Sequence, residues 1–201
     1  MSKLVEIYLK LGIDHILDMQ AYDHILFLIV LCVAYLWRDW KQVLILATAF
    51  TIGHSLTLGL AAADKISINP NWIEFLIPFT IAFTAIFNLL FQKSRDSEIK
   101  IKRLKYLGAM IFGLIHGLGF SNFFRSTILP GQEDKFLWQL FAFNLGVEVG
   151  QIVIITLFLA LASIVINIIG VKRKYWILSL SLMAFVFAAI MMFQRCPVGW
   201  N

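Results

Sequence analysis

Charge is scarce in this sequence. Asp, Glu, Lys and Arg together make up 14% of its 201 residues, against roughly 25% in an ordinary soluble domain. That deficit excludes a conventional water-facing surface, so most of the chain must face lipid or the interior of a helix bundle. Cysteine is equally thin. Cys32 lies inside an apolar run and Cys196 near the C-terminus. They belong at different depths, which argues against a disulfide, and no Cys-x-x-Cys spacing offers metal ligands. No Pro-, Gly- or Ser-rich linker, internal repeat or low-complexity tract divides the chain, so residues 1–201 read as a single integral membrane domain. The formal net charge of +5 does not point to nucleic acid, because the basic residues fall in short loops between hydrophobic runs. Residues 1–20 lack the basic start, compact apolar centre and cleavage site of a signal peptide, and the chain is read as mature.

What is present is hydrophobicity. Sixty per cent of residues are apolar, and the mean hydropathy is +0.83. Six apolar runs, about 22–37, 41–63, 72–92, 106–125, 136–169 and 176–194, read as transmembrane helices. The fifth exceeds the ~20 residues one crossing needs, so it must tilt or project. Residues 1–20 place Leu4, Ile7, Leu11 and Ile16 roughly on one side. They are too polar to span and suit an amphipathic interfacial helix. The expected fold is thus an all-α polytopic membrane protein of about six spans behind a short interfacial helix. Asn69-Pro70-Asn71 and Leu129-Pro130-Gly131 punctuate two of the loops. Eleven of the 17 basic residues fall in the loops after spans one, three and five. Those loops read as cytoplasmic, with both termini outside.

The four histidines all lie in or beside these runs. Asp23 and His24 open the first span, and His54 and His116 each lie about nine residues from the outer end of their spans. Glu148 lies about twelve residues into the fifth. An intramembrane ionisable group costs about 2.5–3.5 kcal/mol on insertion scales, so it is usually paired or functional. Asn144, Glu148 and Gln151 recur at i, i+4 and i+7 as one polar stripe, while Gly146 and Gly150 form a GxxxG on another face. Gly113, Gly117 and Gly119 surround His116, and Thr48, Thr51, Ser55 and Thr57 surround His54.

Each of these residues has a plainer reading. A lone membrane histidine can bond a neighbouring helix, hydroxyls and glycines can serve packing, and Glu74, Asp14 and Asp18 can stay solvated at the interface. The combination is harder to explain that way: Asp23, His24, His54, His116 and Glu148 fall at compatible depth on four helices. Imidazole with carboxylate suits borderline divalent metals such as Ni²⁺, Co²⁺ or Zn²⁺. His15, Asn144 and Gln151 are further candidate ligands.

The stretches "GIDHILDMQAYDHILFLIVL", "FTIGHSLTL", "IHGLGFS" and "FNLGVEVGQ" together resemble the HupE/UreJ family of bacterial membrane proteins, which is associated with nickel and cobalt uptake. The resemblance implies an inner-membrane protein and places family site residues at His15, Asp23, His24, His116 and Glu148, with His54 on the second helix. Nickel-transporting members space His and Asp-His by five residues. Here seven separate His15 from Asp23, so either the segment before span one bends differently or His15 is not a ligand.

Two functional classes follow. In the first, the chain is a divalent-metal permease. It has no Walker A motif, so uptake is driven by membrane potential or by an energising or accessory membrane subunit. Its inner half shows no ionisable relay. In the second, the same histidines hold Zn²⁺ in a membrane-embedded hydrolase. Glu148 or Asp23 then acts as general base, and Ser55 or Ser121 steadies the oxyanion. A metal-binding sensor or accessory subunit is a third reading.

Overall fold

The computed structural model describes residues 2–19, 22–91, 99–128, 131 and 133–197, and seven α-helices hold most of these described residues. They are α1 (Ser2–Leu17), α2 (Tyr22–Cys32), α3 (Trp40–Ala62), α4 (Pro70–Leu90), α5 (Ile99–Ser126), α6 (Phe136–Ser163) and α7 (Arg173–Gln194). No strand occurs among the described residues. The Leu129-Pro130 loop and most of the basic loop before α5 lie outside them.

Helix ends follow local chemistry. Asn69 caps α4 by accepting the Asn71 N–H at 3.0 Å, and Pro70 sits at the first helical position, where its missing N–H costs nothing. Arg125 donates to Ala61 O and pairs with Asp64, fixing the left-handed residue Asp64 that closes α3. α6 runs on into a π-helical turn, Ile164–Ile168, which stops at the positive φ of Gly170.

Five helices (α3 to α7) are each long and apolar enough to cross a bilayer, three of them extended or trimmed slightly at their ends. α2 is not: its 11 residues span only about 16 Å, against ~30 Å of hydrocarbon. The first span ends at Cys32 rather than near residue 37. Tyr35 N–H turns back to Cys32 O, Leu36 is extended, and Trp37–Asp39 forms a 3-10 turn leading into α3. α1 supplies the missing length. It meets α2 at a bend of 70°, and the pair can make a sixth, broken crossing. α1 is amphipathic, but its buried face is Leu4, Tyr8, Gly12 and Ile16, with Glu6, Lys10 and Asp14 exposed; of the face expected from the sequence, Leu4 and Ile16 are buried, Leu11 is half-buried and Ile7 is exposed. The buried face lies lengthwise on α6.

Glycines set the two tightest seams. A Cβ on Gly12 would collide with Phe143 O, and one on Gly146 with Leu9 O; Gly150 abuts Ile16. From Leu9 against Gly146 to Ile16 against Gly150 the residue numbers rise together, so α1 and α6 are parallel. A Cβ on Gly53 would likewise collide with Met110 O, one on Gly113 with Phe50 O, and one on Gly117 with His54 O. This makes α3 and α5 a second parallel pair. The GxxxG spacings of α5 and α6 thus bring backbone against backbone. α6 is continuous through Gly146 and Gly150, and these glycines receive α1.

α4 packs on α7. His54 faces Asn144 and Thr48 faces Glu148, so α3 and α6 are antiparallel. α2, α4 and α6 therefore descend from the face that carries Ser2 and Arg195, here the terminal face, while α3, α5 and α7 return to it. On the far face, Arg173 donates to Ala34 O. Outside, every long helix exposes large apolar side chains, among them Ile52, Phe83, Leu107, Leu157 and Phe187, as a lipid-facing surface requires.

Candidate metal centre

The bend between α1 and α2 folds the last turn of the first onto the first turn of the second. His15 and His24 consequently meet edge to face, with ring centroids 4.5 Å apart. α3 presents His54 beside them, 6.1 Å from the His15 ring. One nitrogen from each of His15, His24 and His54 lies within 4.8 Å of the other two. His116 adjoins this group, its ring 5.3 Å from His24. The close seam at Gly113 and Gly117 is what admits it: His54 is 0% exposed and His116 1%. Phe27, Phe50, Phe120 and Phe143 surround the four imidazoles, giving them a dry wall.

Hydrogen bonding fixes two of the tautomers. The Asn144 amide donates to Leu140 O, leaving its Oδ1 as an acceptor 3.3 Å from His54 Nδ1. His54 therefore donates from Nδ1 and presents a lone pair at Nε2. Thr80 donates its hydroxyl proton to Ile77 O, so the 3.3 Å contact with His116 Nε2 is a donation from the imidazole. His116 thus presents its lone pair at Nδ1. Both of these nitrogens, with His15 Nε2 and His24 Nε2, are buried and lack a hydrogen-bond partner.

Buried polar atoms are normally satisfied, and each orphan costs about 1–3 kcal/mol. Orphan nitrogens on His15, His24 and His54, whose rings converge, with His116 beside them, fit a ligand that accepts lone pairs. Imidazoles oriented through their other nitrogen are how proteins prepare histidine to bind metal. The donor set therefore suits a borderline divalent cation.

Asp23 supports His24. Its Oδ1 accepts the His24 backbone N–H at 2.9 Å and lies 3.0 Å from Nδ1, while Oδ2 faces Arg195 at 3.6 Å. Glu148 is elsewhere: its carboxylate accepts from Thr48 at 2.7 Å. Thr48 is six residues from His54, about 9 Å along α3. Gln151 accepts from Thr51 at 3.0 Å. Ser55 donates to Thr51 O and Ser121 to Leu118 O, so both hydroxyls are spent on their own helices. A cleft of about 730 Å³ opens on His15 and is lined also by Asp14, Asp18 and Phe120. Glu74 is exposed.

Sequence reading passed over Thr80. The available signal was Thr80, Thr84 and Asn88 at i, i+4 and i+8 within an apolar run.

The profile of the HupE / UreJ protein family matches residues 1–195. The chain belongs to the HupE/UreJ family. The match spans every helix and all of the site residues named above. No curated protein and no solved structure matches this HupE/UreJ chain.

Proposed function

We propose that this HupE/UreJ chain is a permease of the bacterial cytoplasmic membrane, carrying a nickel- or cobalt-type divalent cation inward from the terminal face. One observation carries the reading: three histidine nitrogens from three helices converge within 4.8 Å, and each of these rings has a buried nitrogen without a partner. The family's association with nickel and cobalt transport supports the choice of cation. The cleft beside His15, flanked by Asp14 and Asp18, is the entrance. His15, His24 and His54 replace the cation's water, and His116 stands next to them. Asp23 orients His24 and offsets part of the incoming charge. No nucleotide is needed, since a divalent ion gains about 4.6 kcal/mol for each 100 mV of inside-negative potential.

The geometry supports a zinc hydrolase less well. Glu148 is held by Thr48 rather than beside the histidines, Asp23 is engaged by the His24 backbone N–H and by Arg195, and Ser55 and Ser121 spend their hydroxyls on their own helices.

Reconstituted vesicles with an imposed inside-negative potential test the proposal. Wild-type protein takes up ⁶³Ni²⁺ or ⁵⁷Co²⁺, and His54→Ala and His24→Ala abolish uptake while keeping the helical circular dichroism of the parent. Equal uptake by His54→Ala would refute the assignment.

A further inference from the structure

Beyond the histidines, the seam between the two glycine-packed pairs stays polar. Three side-chain bonds cross from α3 to α6: His54 with Asn144, Thr51 with Gln151, and Thr48 with Glu148. They form a ladder leading away from the histidines toward the far face. The sequence alone showed no ionisable group on that half of the path, because Glu148 read as one member of the histidine site.

The lower rungs differ in chemistry from the upper one. Thr48, Thr51, Gln151 and Glu148 offer two hydroxyls, an amide oxygen and a carboxylate, and no imidazole. Thr51 and Gln151 are buried, Thr48 and Glu148 partly so. Among the described residues no Lys, Arg or His pairs with Glu148. Its partner is a neutral hydroxyl. A carboxylate inside a membrane bundle is ordinarily matched by a positive charge. One that is not matched, on a ladder leading from a cation site, has an oxygen charge available to a passing cation.

We infer that Glu148, Thr48, Thr51 and Gln151 form a second, all-oxygen cation site, about 5–9 Å beyond His54 along α3, which receives the ion after it leaves the histidines. This rests on the transport reading above. The order of donors has a purpose. Borderline cations favour imidazole over carboxylate, amide and hydroxyl oxygens, so capture happens at nitrogen and release begins at oxygen. Without the second site the ion would face an apolar inner half and stay on the histidines.

The test uses the purified full-length chain and Co²⁺, whose visible absorption is strong with nitrogen ligands in low coordination and weak in oxygen sites. Stoichiometry comes from equilibrium dialysis. The wild type is expected to bind two Co²⁺, one of them giving the strong band. Glu148→Gln should bind one, keep the band, and transport at least tenfold more slowly in vesicles. Glu148→Asp should restore the second ion, and Thr51→Val should weaken it without affecting the band. The retained band shows that each variant is folded. Two bound ions in Glu148→Gln, or loss of the band together with one ion, would overturn the two-site arrangement. Absence of the band from the wild type would overturn the transport reading itself, and this inference with it.

Discussion

Asn144 and Thr80 do their work through histidines. Each accepts from one ring nitrogen and so leaves the other free. Neither needs to touch the cation. Asn144→Leu and Thr80→Val remove that constraint, letting the ring flip or change tautomer. Metal affinity should fall about 10- to 100-fold, with little loss of thermal stability, as measured by competition titration against a metallochromic chelator. Arg195 acts in the opposite sense. Its guanidinium lies 3.6 Å from Asp23 Oδ2 and competes with an incoming cation for that carboxylate. Arg195→Gln should tighten binding a few-fold at low ionic strength, since partly exposed pairs are worth about 0.2–1 kcal/mol. The gain should shrink in high salt. Much at this scale was legible in advance. Histidines are rare enough in apolar runs to stand out, and the structure gathers His15, His24 and His54 with His116 adjoining. What could not be read was how the donors divide. Glu148 shares a stripe with Asn144 on one helix, but helix spacing says nothing about which rung of α3 each one meets.

At the level of elements, the six long apolar runs were readable because lipid leaves hydropathy as the dominant signal. Their ends moved where local geometry intervened, as at Cys32, where a turn ends α2 five residues early. The path of α1 was hidden for a different reason. Its polar content marks it as unable to cross alone, which is correct. Its position depends on Gly12 meeting the GxxxG of α6, a match between two distant segments. That seam yields a prediction. Gly12→Leu or Gly146→Leu forces a side chain into a facing backbone carbonyl, and overpacking of this kind costs about 1–3 kcal/mol or more. Thermal unfolding in detergent should occur at lower temperature, and metal binding should be lost with it, because α1 carries His15. Gly108, with open space around it, serves as control: Gly108→Ala should leave both unchanged.

For the whole molecule, with α1 and α2 counted as one broken crossing beside the five long helices, the chain returns to the face on which it begins, so Ser2 and Arg195 share a side. Basic residues crowd the opposite loops. In a cysteine-free parent, a thiol placed at Ser67 should react with an impermeant reagent in intact cells, whereas one at Arg103 should react only after lysis. The reverse pattern would invert the proposed direction of transport. Uptake should also follow the imposed potential and collapse when it is dissipated.

The break in the first crossing has an electrical consequence. α1 stops at Leu17, so the carbonyls of its last turn, the turn that carries His15, have no onward N–H of a continuing helix. A helix end of this kind carries roughly half a negative charge. α2 begins nearby with the opposite pole, and Asp23 in its first turn counters that pole. An unbroken helix would place neither end at this depth. A cation among the histidines therefore meets the negative pole of one helix and the neutralised positive pole of another. The peptide backbone adds its own attraction, about 0.3–1 kcal/mol, which substitution of the ligands would leave in place.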